Sequence, residues 1–166
     1  MAGRHRRGAR RGVPAGRIAV SVATVGLGAL QLGGVAFAAP AGTAAVDGTS
    51  CTDARIKACV DLSENRAWLL DGQGNVVGGP VTNSHGAEGH ETPTGDFIIQ
   101  RKERDHVSQE YEGSPMPYAV FFDNHGRAFH GGDTDRKSAG CVRLGLEDAK
   151  RFFEHLNPND RVQIVE

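Results

Sequence analysis

The segment that most constrains this chain is His130–Leu144, which reads HGGDTDRKSAGCVRL. It brings a histidine and a cysteine into one short stretch and surrounds the cysteine with small residues. A free thiol is only a few per cent ionised at neutral pH, so a cysteine that attacks a substrate needs an imidazole within hydrogen-bond reach. The segment therefore predicts Cys141 as a nucleophile and His130 as its base.

The residues before Cys141 suit the same chemistry. Ser138-Ala139-Gly140 predicts a tight turn without bulky side chains. The backbone N–H groups of Gly140 and Cys141 can then point at one spot, where a carbonyl oxygen becomes an oxyanion. The alternative is a buried structural cysteine at a strand end, because free cysteines prefer protein interiors. The histidine nearby and the export signals of the chain favour the catalytic interpretation.

Motifs in a fixed order give the chain a family resemblance. The segment Ser138–Leu144, the pair His130-Gly131 ahead of it and the run Thr92–Phe97 upstream resemble the L,D-transpeptidase catalytic domain (YkuD-like). The resemblance covers residues 55–166, which we expect to be the catalytic domain. It implies a mostly-β fold, a β-sandwich of mixed sheets with one α-helix after the catalytic cysteine.

The resemblance also implies a reaction and its partners. Cys141 would form a thioester with a peptidoglycan stem peptide and pass the acyl group to an amine of a neighbouring stem, as in 3-3 cross-linking for cell wall biogenesis and cell shape. No cofactor is implied. His85 and His90 lie in a polar, Gly-rich loop without a cysteine or carboxylate at ligand spacing, so we predict no metal site.

Supporting roles follow for the residues around the pair. We expect Gly140, Ala139 and Gly131 to form the oxyanion hole or to orient the site, with the Gly131 carbonyl holding the far nitrogen of His130. Substrate contacts are expected from three residues, namely Arg143, Ser138 and His85. Arg143 has two interpretations, a clamp for a stem carboxylate or a brace beneath the turn.

The N-terminus indicates export. Six arginines precede an apolar run over 18–30, and Ala36-Phe37-Ala38 closes the stretch. This order is typical of a secretory signal peptide, so we predict one over 1–38. A transmembrane anchor is the alternative, but the uninterrupted apolar part is shorter than the roughly 20 residues needed. We expect a secreted protein of the cell wall or extracellular space, with no integral membrane anchor after processing.

Processing changes the charge and narrows the partners. The chain has 19 Lys and Arg against 20 Asp and Glu, and the six arginines leave with the leader while no carboxylate does. The net charge thus falls from −1 to −7. An acidic secreted protein is a poor binder of nucleic acid or anionic membranes. What remains suffices for one small domain, which we expect to be a monomer.

Three cysteines in an exported chain suggest one disulfide and one free thiol. Cys51 and Cys59 are close in sequence at the start of the domain, whereas Cys141 lies far away in the turn. We therefore predict a Cys51–Cys59 disulfide. Residues 39–54, rich in Ala, Gly and Thr, predict a flexible lead-in.

Alternation of apolar and polar residues predicts most strands. Residues 55–62 and 66–70 form a hairpin, and 76–82 form a third strand in which Pro80 indicates an edge or a bulge. Strands over 118–123 and 127–130 place His130 at a strand end. Leu146, Ala149, Phe153 and Leu156 recur at helical spacing, and 161–166 close the sheet. The charged stretch 101–117 lacks apolar periodicity and predicts a lid over the cleft.

Two other functions remain open. The same thioester could be released by water, which would make the protein an L,D-carboxypeptidase. The fold could also serve as a non-catalytic wall-binding module, because a fold alone does not establish an activity.

Overall fold

A computed structural model describes residues 46–166 except Glu112. The predicted signal peptide over 1–38, and residues 39–45 of the predicted lead-in, lie outside the described residues. Within the part of the chain that is described, no helix is long and apolar enough to span a membrane.

The domain contains nine strands and one helix among the described residues. In chain order, these are β1 (Ala58–Asp61), β2 (Arg66–Leu70), β3 (Val76–Ser84), β4 (Gly95–Ile98), β5 (Arg101–Val107), β6 (Pro115–Phe121), β7 (Ala128–Gly131), β8 (Val142–Leu144), α1 (Leu146–His155) and β9 (Arg161–Val165). The strands follow one another laterally in the order β4-β9-β1-β2-β3-β8-β7-β6-β5.

Strand β3 joins two halves of this curled sheet. It pairs with β2 on one side and, through Asn83 and Ser84, with β8 on the other. Each half mixes pairings, because β1 with β9 and β7 with β8 are parallel while the other ladders are antiparallel. The predicted β-sandwich of mixed sheets is confirmed.

The core lies between the halves and the helix. Val60 and Leu69 of one half belong to the same buried cluster as Phe129 and Val142 of the other. Phe97 and Phe122 meet edge to face at 5.3 Å, in the offset geometry that aromatic rings prefer. Helix α1 packs on the cluster through Ala149 and Phe152. Of the residues predicted at helical spacing, Ala149 and Leu156 are buried, Phe153 is partly buried, and Leu146 is 54% exposed.

The predicted strands are confirmed, and Pro80 lies at a bulge rather than at an edge. β3 is internal to the sheet, and its register against β2 shifts between Ala67 and Leu69, opposite Gly79 and Pro80. Proline lacks an N–H to donate to the ladder, so an irregularity is what allows it inside a sheet.

The stretch 101–117, which we predicted to be a lid because it lacks apolar periodicity, contains regular strands, although Ser108 and Tyr111 within it do line the cleft. This stretch forms β5, a turn, and the start of β6, a hairpin at the edge of the sheet. Its long cationic side chains lie against aromatic rings: Arg101 covers Phe121 at 3.5 Å, and Lys102 covers Phe153 at 4.6 Å. The stems of these residues supply apolar contact that a hydrophobic pattern does not register.

The N-terminal disulfide is present, and it changes the expected lead-in. Cys51 and Cys59 are bonded, with both residues fully buried beside Trp68. Val46 is 3% exposed in the same cluster, and its N–H donates to the Cys51 carbonyl. Residues 46–54 are therefore packed onto the domain rather than forming part of a flexible segment.

Candidate active site

Two parallel strands bring Cys141 and His130 to one face of the sheet. The ladder pairs Phe129 with Val142 and His130 with Arg143. Phe129 and Val142 point into the core, so the alternation of side chains places His130 and Cys141 together on the opposite face. They are diagonal neighbours on strands that lie about 4.8 Å apart.

His130 is held in one orientation. It is 6% exposed, and its Nδ1 lies 3.0 Å from the Gly131 carbonyl oxygen, as predicted. A carbonyl only accepts, so Nδ1 carries the proton and Nε2 keeps its lone pair. Burial, followed by the nearby charges of Arg143 and His106, holds the pKa of this imidazole below its ordinary value of 6.5. The ring is therefore neutral at neutral pH.

Cys141 is also uncharged at rest. It is half-buried against an apolar cluster that includes Met116, Phe121 and Ala128. Burial raises the pKa of the thiol above its ordinary value of 9.0, although a hydrogen bond from the backbone of Ala128 opposes this. The pair is thus a thiol beside an imidazole, and the proton has to transfer as the sulfur attacks.

The turn before Cys141 differs from the prediction in one hydrogen bond. The Gly140 N–H donates to the Ser138 hydroxyl at 3.1 Å, and that hydroxyl donates to the Cys141 carbonyl at 2.6 Å. The Gly140 N–H, which we predicted to serve an oxyanion hole, thus has the Ser138 hydroxyl as its acceptor in this structure. Ser138 is 6% exposed and lines the cleft, but the bonds of its hydroxyl organise the turn.

A buried threonine fixes the turn from outside. The Thr92 hydroxyl donates to the Gly140 carbonyl at 2.9 Å and accepts the Gly86 N–H at 2.9 Å. Thr92 is 3% exposed, so both bonds are shielded from water. In the sequence, Thr92 was identified only as part of a motif. Its hydrogen-bond partner, Gly140, lies 48 residues away in the chain, and a local pattern cannot predict such a contact.

Gly140 is required by its conformation and its neighbour. Its φ is +107°, a region that L side chains rarely adopt. A Cβ at this position would also lie 3.0 Å from Arg127 Nε. Arg127 is held by Asp123, Nη1 to Oδ2 at 2.9 Å, so this ion pair forms one wall beside the nucleophile.

Arg143 has the contacts of a brace. Its Nη1 donates to the carbonyls of Arg136 and Lys137, at 3.2 and 3.3 Å. Its stem lies against Gly132, where a Cβ would approach within 3.2 Å. These contacts tie the loop between β7 and β8 to the strand that carries the cysteine.

His85 is not in the cleft. Its Nε2 lies 2.7 Å from Lys137 Nζ, and it lines a separate cavity with Leu62 and Glu166. Burial and then the charge of Lys137 lower its pKa. The side chain of His85, which we predicted to contact substrate, lines neither groove beside Cys141, whereas its backbone carbonyl accepts the Ser138 N–H at 2.9 Å.

Cys141 lies where two grooves meet. The larger groove has a volume of about 760 Å³ and the smaller about 490 Å³. Both are bordered by the same five residues, which are Ser108, Tyr111, Met116, Ala139 and Cys141. His130 lines the smaller groove, and the tip of the β5–β6 hairpin lies over both. The nucleophile can thus be approached from two sides.

No metal cluster accompanies this site. In residues 46–166 apart from Glu112, no group of three or more His, Cys, Asp or Glu side chains is placed to hold a metal ion.

Comparison with known proteins identifies relatives. Residues 55–164 match the family model of the YkuD L,D-transpeptidase catalytic domain. An L,D-transpeptidase structure from Stackebrandtia nassauensis is 31% identical, with a TM-score of 0.61, and the match covers 66% of this chain and 54% of that one. No curated protein matched the chain.

Two Mycobacterium tuberculosis structures share the fold. An L,D-transpeptidase is 22% identical over 68% of this chain and 58% of its own, with a TM-score of 0.60. L,D-transpeptidase 3, solved with a faropenem-derived adduct, is 20% identical over 68% of this chain and 60% of its own, with a TM-score of 0.59. The matched part of this chain thus spans 54 to 60% of these relatives.

Proposed function

The chain belongs to the L,D-transpeptidase catalytic domain family, and from that membership we propose that it is a cysteine acyltransferase that cross-links peptidoglycan stem peptides. Cys141 is the nucleophile and His130 the base. The observation that carries this proposal is a thiol at the junction of two grooves, beside a neutral, oriented imidazole. A transferase needs access for two substrates, whereas a hydrolase needs access for one substrate and water.

The charges of the smaller groove favour the acyl donor. Two arginines, Arg136 and Arg143, line this groove, and Asp133 is the one carboxylate among its lining residues. A stem peptide that ends in D-alanine carries a terminal carboxylate next to the bond that is broken, and guanidinium groups bind carboxylates well. The donor therefore lies in the smaller groove, beside His130.

Acylation follows from this placement. His130 Nε2 takes the thiol proton as Cys141 Sγ attacks the carbonyl carbon, and the Cys141 N–H stabilises the oxyanion. The C–N bond to the terminal D-alanine then breaks, and the imidazolium gives its proton to the leaving amine. A thioester on Cys141 and a neutral His130 remain.

Transfer reverses the roles. An amine of a second stem enters from the larger groove and attacks the thioester carbonyl, its proton passes to His130, and the sulfur leaves and is reprotonated. The product is an amide between two stems, which for a donor cleaved after its third residue is a 3-3 cross-link. Water in place of the amine would give the L,D-carboxypeptidase reaction.

The compartment belongs to the same proposal. A secretory signal peptide over 1–38, a catalytic domain over 55–166 and action at the cell wall agree with the buried Cys51–Cys59 disulfide, because structural disulfides persist in oxidising compartments. We also propose that the processed protein is a monomer.

Product analysis tests the proposal. The protein is incubated with a tetrapeptide stem, with and without an amine acceptor, and the products are separated by mass. We expect a cross-linked product that depends on the acceptor and is absent with Cys141→Ala. Release of the tripeptide alone, at a rate that the acceptor does not change, would show a carboxypeptidase, and intact substrate would contradict an enzymatic role.

A further inference from the structure

A second oriented imidazole faces the larger groove. His106 on β5 lines this groove, and its Nδ1 lies 2.6 Å from Glu103 Oε2. Arg101 and then His106 hold the pKa of Glu103 below its ordinary value, so the carboxylate is ionised and only accepts. Nδ1 of His106 therefore carries a proton, and Nε2 is the ring nitrogen that Glu103 leaves available to a ligand.

This imidazole lies beside the patch that supports the nucleophile. Its ring meets Phe121 edge on at 5.0 Å, and Phe121 belongs to the buried cluster against which Cys141 packs. His106 also lies near enough to His130 to lower the pKa of that ring. The two imidazoles thus flank one reaction centre, with His130 lining the smaller groove and His106 the larger.

An irregularity in the hairpin creates this arrangement. In a regular strand, Glu103 and His106 would point to opposite faces. The ladder pairs Glu103 with Ala119 and Asp105 with Pro117, and between these pairs Tyr118 has a φ of 58°. A bulky residue rarely adopts this conformation. Here it lies opposite the part of β5 in which the side chains of Glu103 and His106 come to the same face of the hairpin.

We propose that His106, held by Glu103, receives the acceptor amine in the larger groove and removes one proton from it before it attacks the thioester. The inference rests on the proposed acyl transfer. An aliphatic primary amine arrives as an ammonium ion, which has no lone pair for attack. Nε2 takes one proton, and the free amine forms the C–N bond as the C–S bond breaks. His130 carries the remaining proton from nitrogen to sulfur, and His106 releases its proton to water.

The surroundings suit a cationic acceptor. Glu91 and Glu110 line the larger groove, and Glu103 lies behind the imidazole. Two arginines, Arg101 and Arg127, line the larger groove as well, but each is ion-paired, with Glu103 at 2.8 Å and with Asp123 at 2.9 Å. An ammonium ion is therefore attracted to Glu91 and Glu110. The acceptor class is therefore a primary amine with a high pKa, such as the side chain of a diamino acid.

The experiment compares two acceptors on the acyl-enzyme. The full chain and its His106→Gln variant are acylated with a tetrapeptide, and transfer to a lysine side chain is measured against hydrolysis. Hydroxylamine, which is already unprotonated at neutral pH, is the second acceptor. We expect His106→Gln to acylate normally, to lose roughly 100-fold in transfer to lysine, and to retain transfer to hydroxylamine. Glu103→Gln, which keeps the shape of the side chain, should show a smaller loss with the same selectivity.

His125→Gln is the matched control. His125 lines the same groove, but its Nδ1 is 3.9 Å from Asp123 and its side chain is 77% exposed. In His125→Gln, the ratio of transfer to lysine over hydrolysis should equal that of the unmodified chain. The inference is overturned if His106→Gln transfers to lysine at the unmodified rate, or if it loses both acceptors equally. Failure of the unmodified chain to form an acyl-enzyme would instead overturn the proposed function on which it rests.

Discussion

At the scale of single residues, the site combines two shifts of opposite direction. Burial lowers the pKa of His130 and raises the pKa of Cys141, so both changes favour the uncharged pair. The nucleophile is then protected as a thiol until a substrate is in place. Attack depends on the orientation of the imidazole, which the Gly131 carbonyl fixes, rather than on a preformed thiolate.

This pairing predicts a particular pH profile for acylation. The rate should rise with pH below 6.5, as His130 loses its proton, and stay level through neutrality. A further rise should come only above pH 9.0, where the thiol ionises without help. Rapid-mixing measurements of acylation by a tetrapeptide stem would trace this profile.

His130→Gln provides the comparison for that profile. The plateau near neutrality should fall by roughly 100-fold, because the base is lost, while the limb above pH 9.0 should remain. A plateau of unchanged height would place the base elsewhere. If the acylation rate instead rose once, below neutral pH, together with formation of the thiolate, this result would contradict an uncharged thiol and imidazole at rest.

At the scale of secondary-structure elements, period-two alternation identified most strands, and the helical spacing of apolar residues identified the helix. It failed at β5, where cationic stems over aromatic rings replace apolar residues. The nucleophile and its base could be predicted because they lie within one short segment. The side chain of His85 and the role of Thr92 could not, because their partners, Lys137 and Gly140, lie 52 and 48 residues away in the chain. The bond from the Gly140 N–H to the Ser138 hydroxyl is local, but it depends on the side-chain conformation of Ser138, which a pattern of residue types does not give.

Thr92 gives a prediction at this scale, because its hydroxyl joins the loop after β3 to the turn before β8. Thr92→Val should leave the Gly140 carbonyl and the Gly86 N–H buried without this partner. We expect a loss of about 2 kcal/mol in the free energy of unfolding, together with slower acylation as the turn loosens. Denaturant titration and acylation rates measure the two effects.

Thr94→Val is the control for this substitution, since Thr94 lies in the same segment but is exposed. It should change neither quantity. If Thr92→Val were as stable and as fast as the unmodified chain, the hydroxyl would not organise the turn.

At the scale of the whole molecule, stability and chemistry are separable. The Cys51–Cys59 disulfide fastens the N-terminal segment to β1 and packs beside Trp68, whereas the catalytic pair lies on β7 and just before β8. The catalytic pair and the disulfide belong to one folded domain, but no residue of the disulfide cluster lines either groove.

Replacing both Cys51 and Cys59 with alanine should therefore lower stability and spare the reaction. The disulfide joins residues eight apart, and a loop of this size contributes about 2 to 3 kcal/mol on the chain-entropy model. The temperature of thermal unfolding should fall, while acylation by a tetrapeptide stem below the transition should keep its rate. Loss of acylation in a variant that is still folded would couple the disulfide to the site.

The central claim is that Cys141 carries the acyl group, and intact-mass analysis tests it most directly. After incubation with a tetrapeptide stem, the unmodified chain should gain the mass of the donor less its terminal D-alanine, and peptide mapping should place that gain on Cys141. The adduct should form slowly with His130→Gln and not at all with Cys141→Ala. An adduct on any other residue, or one that persists in Cys141→Ala, would contradict the account.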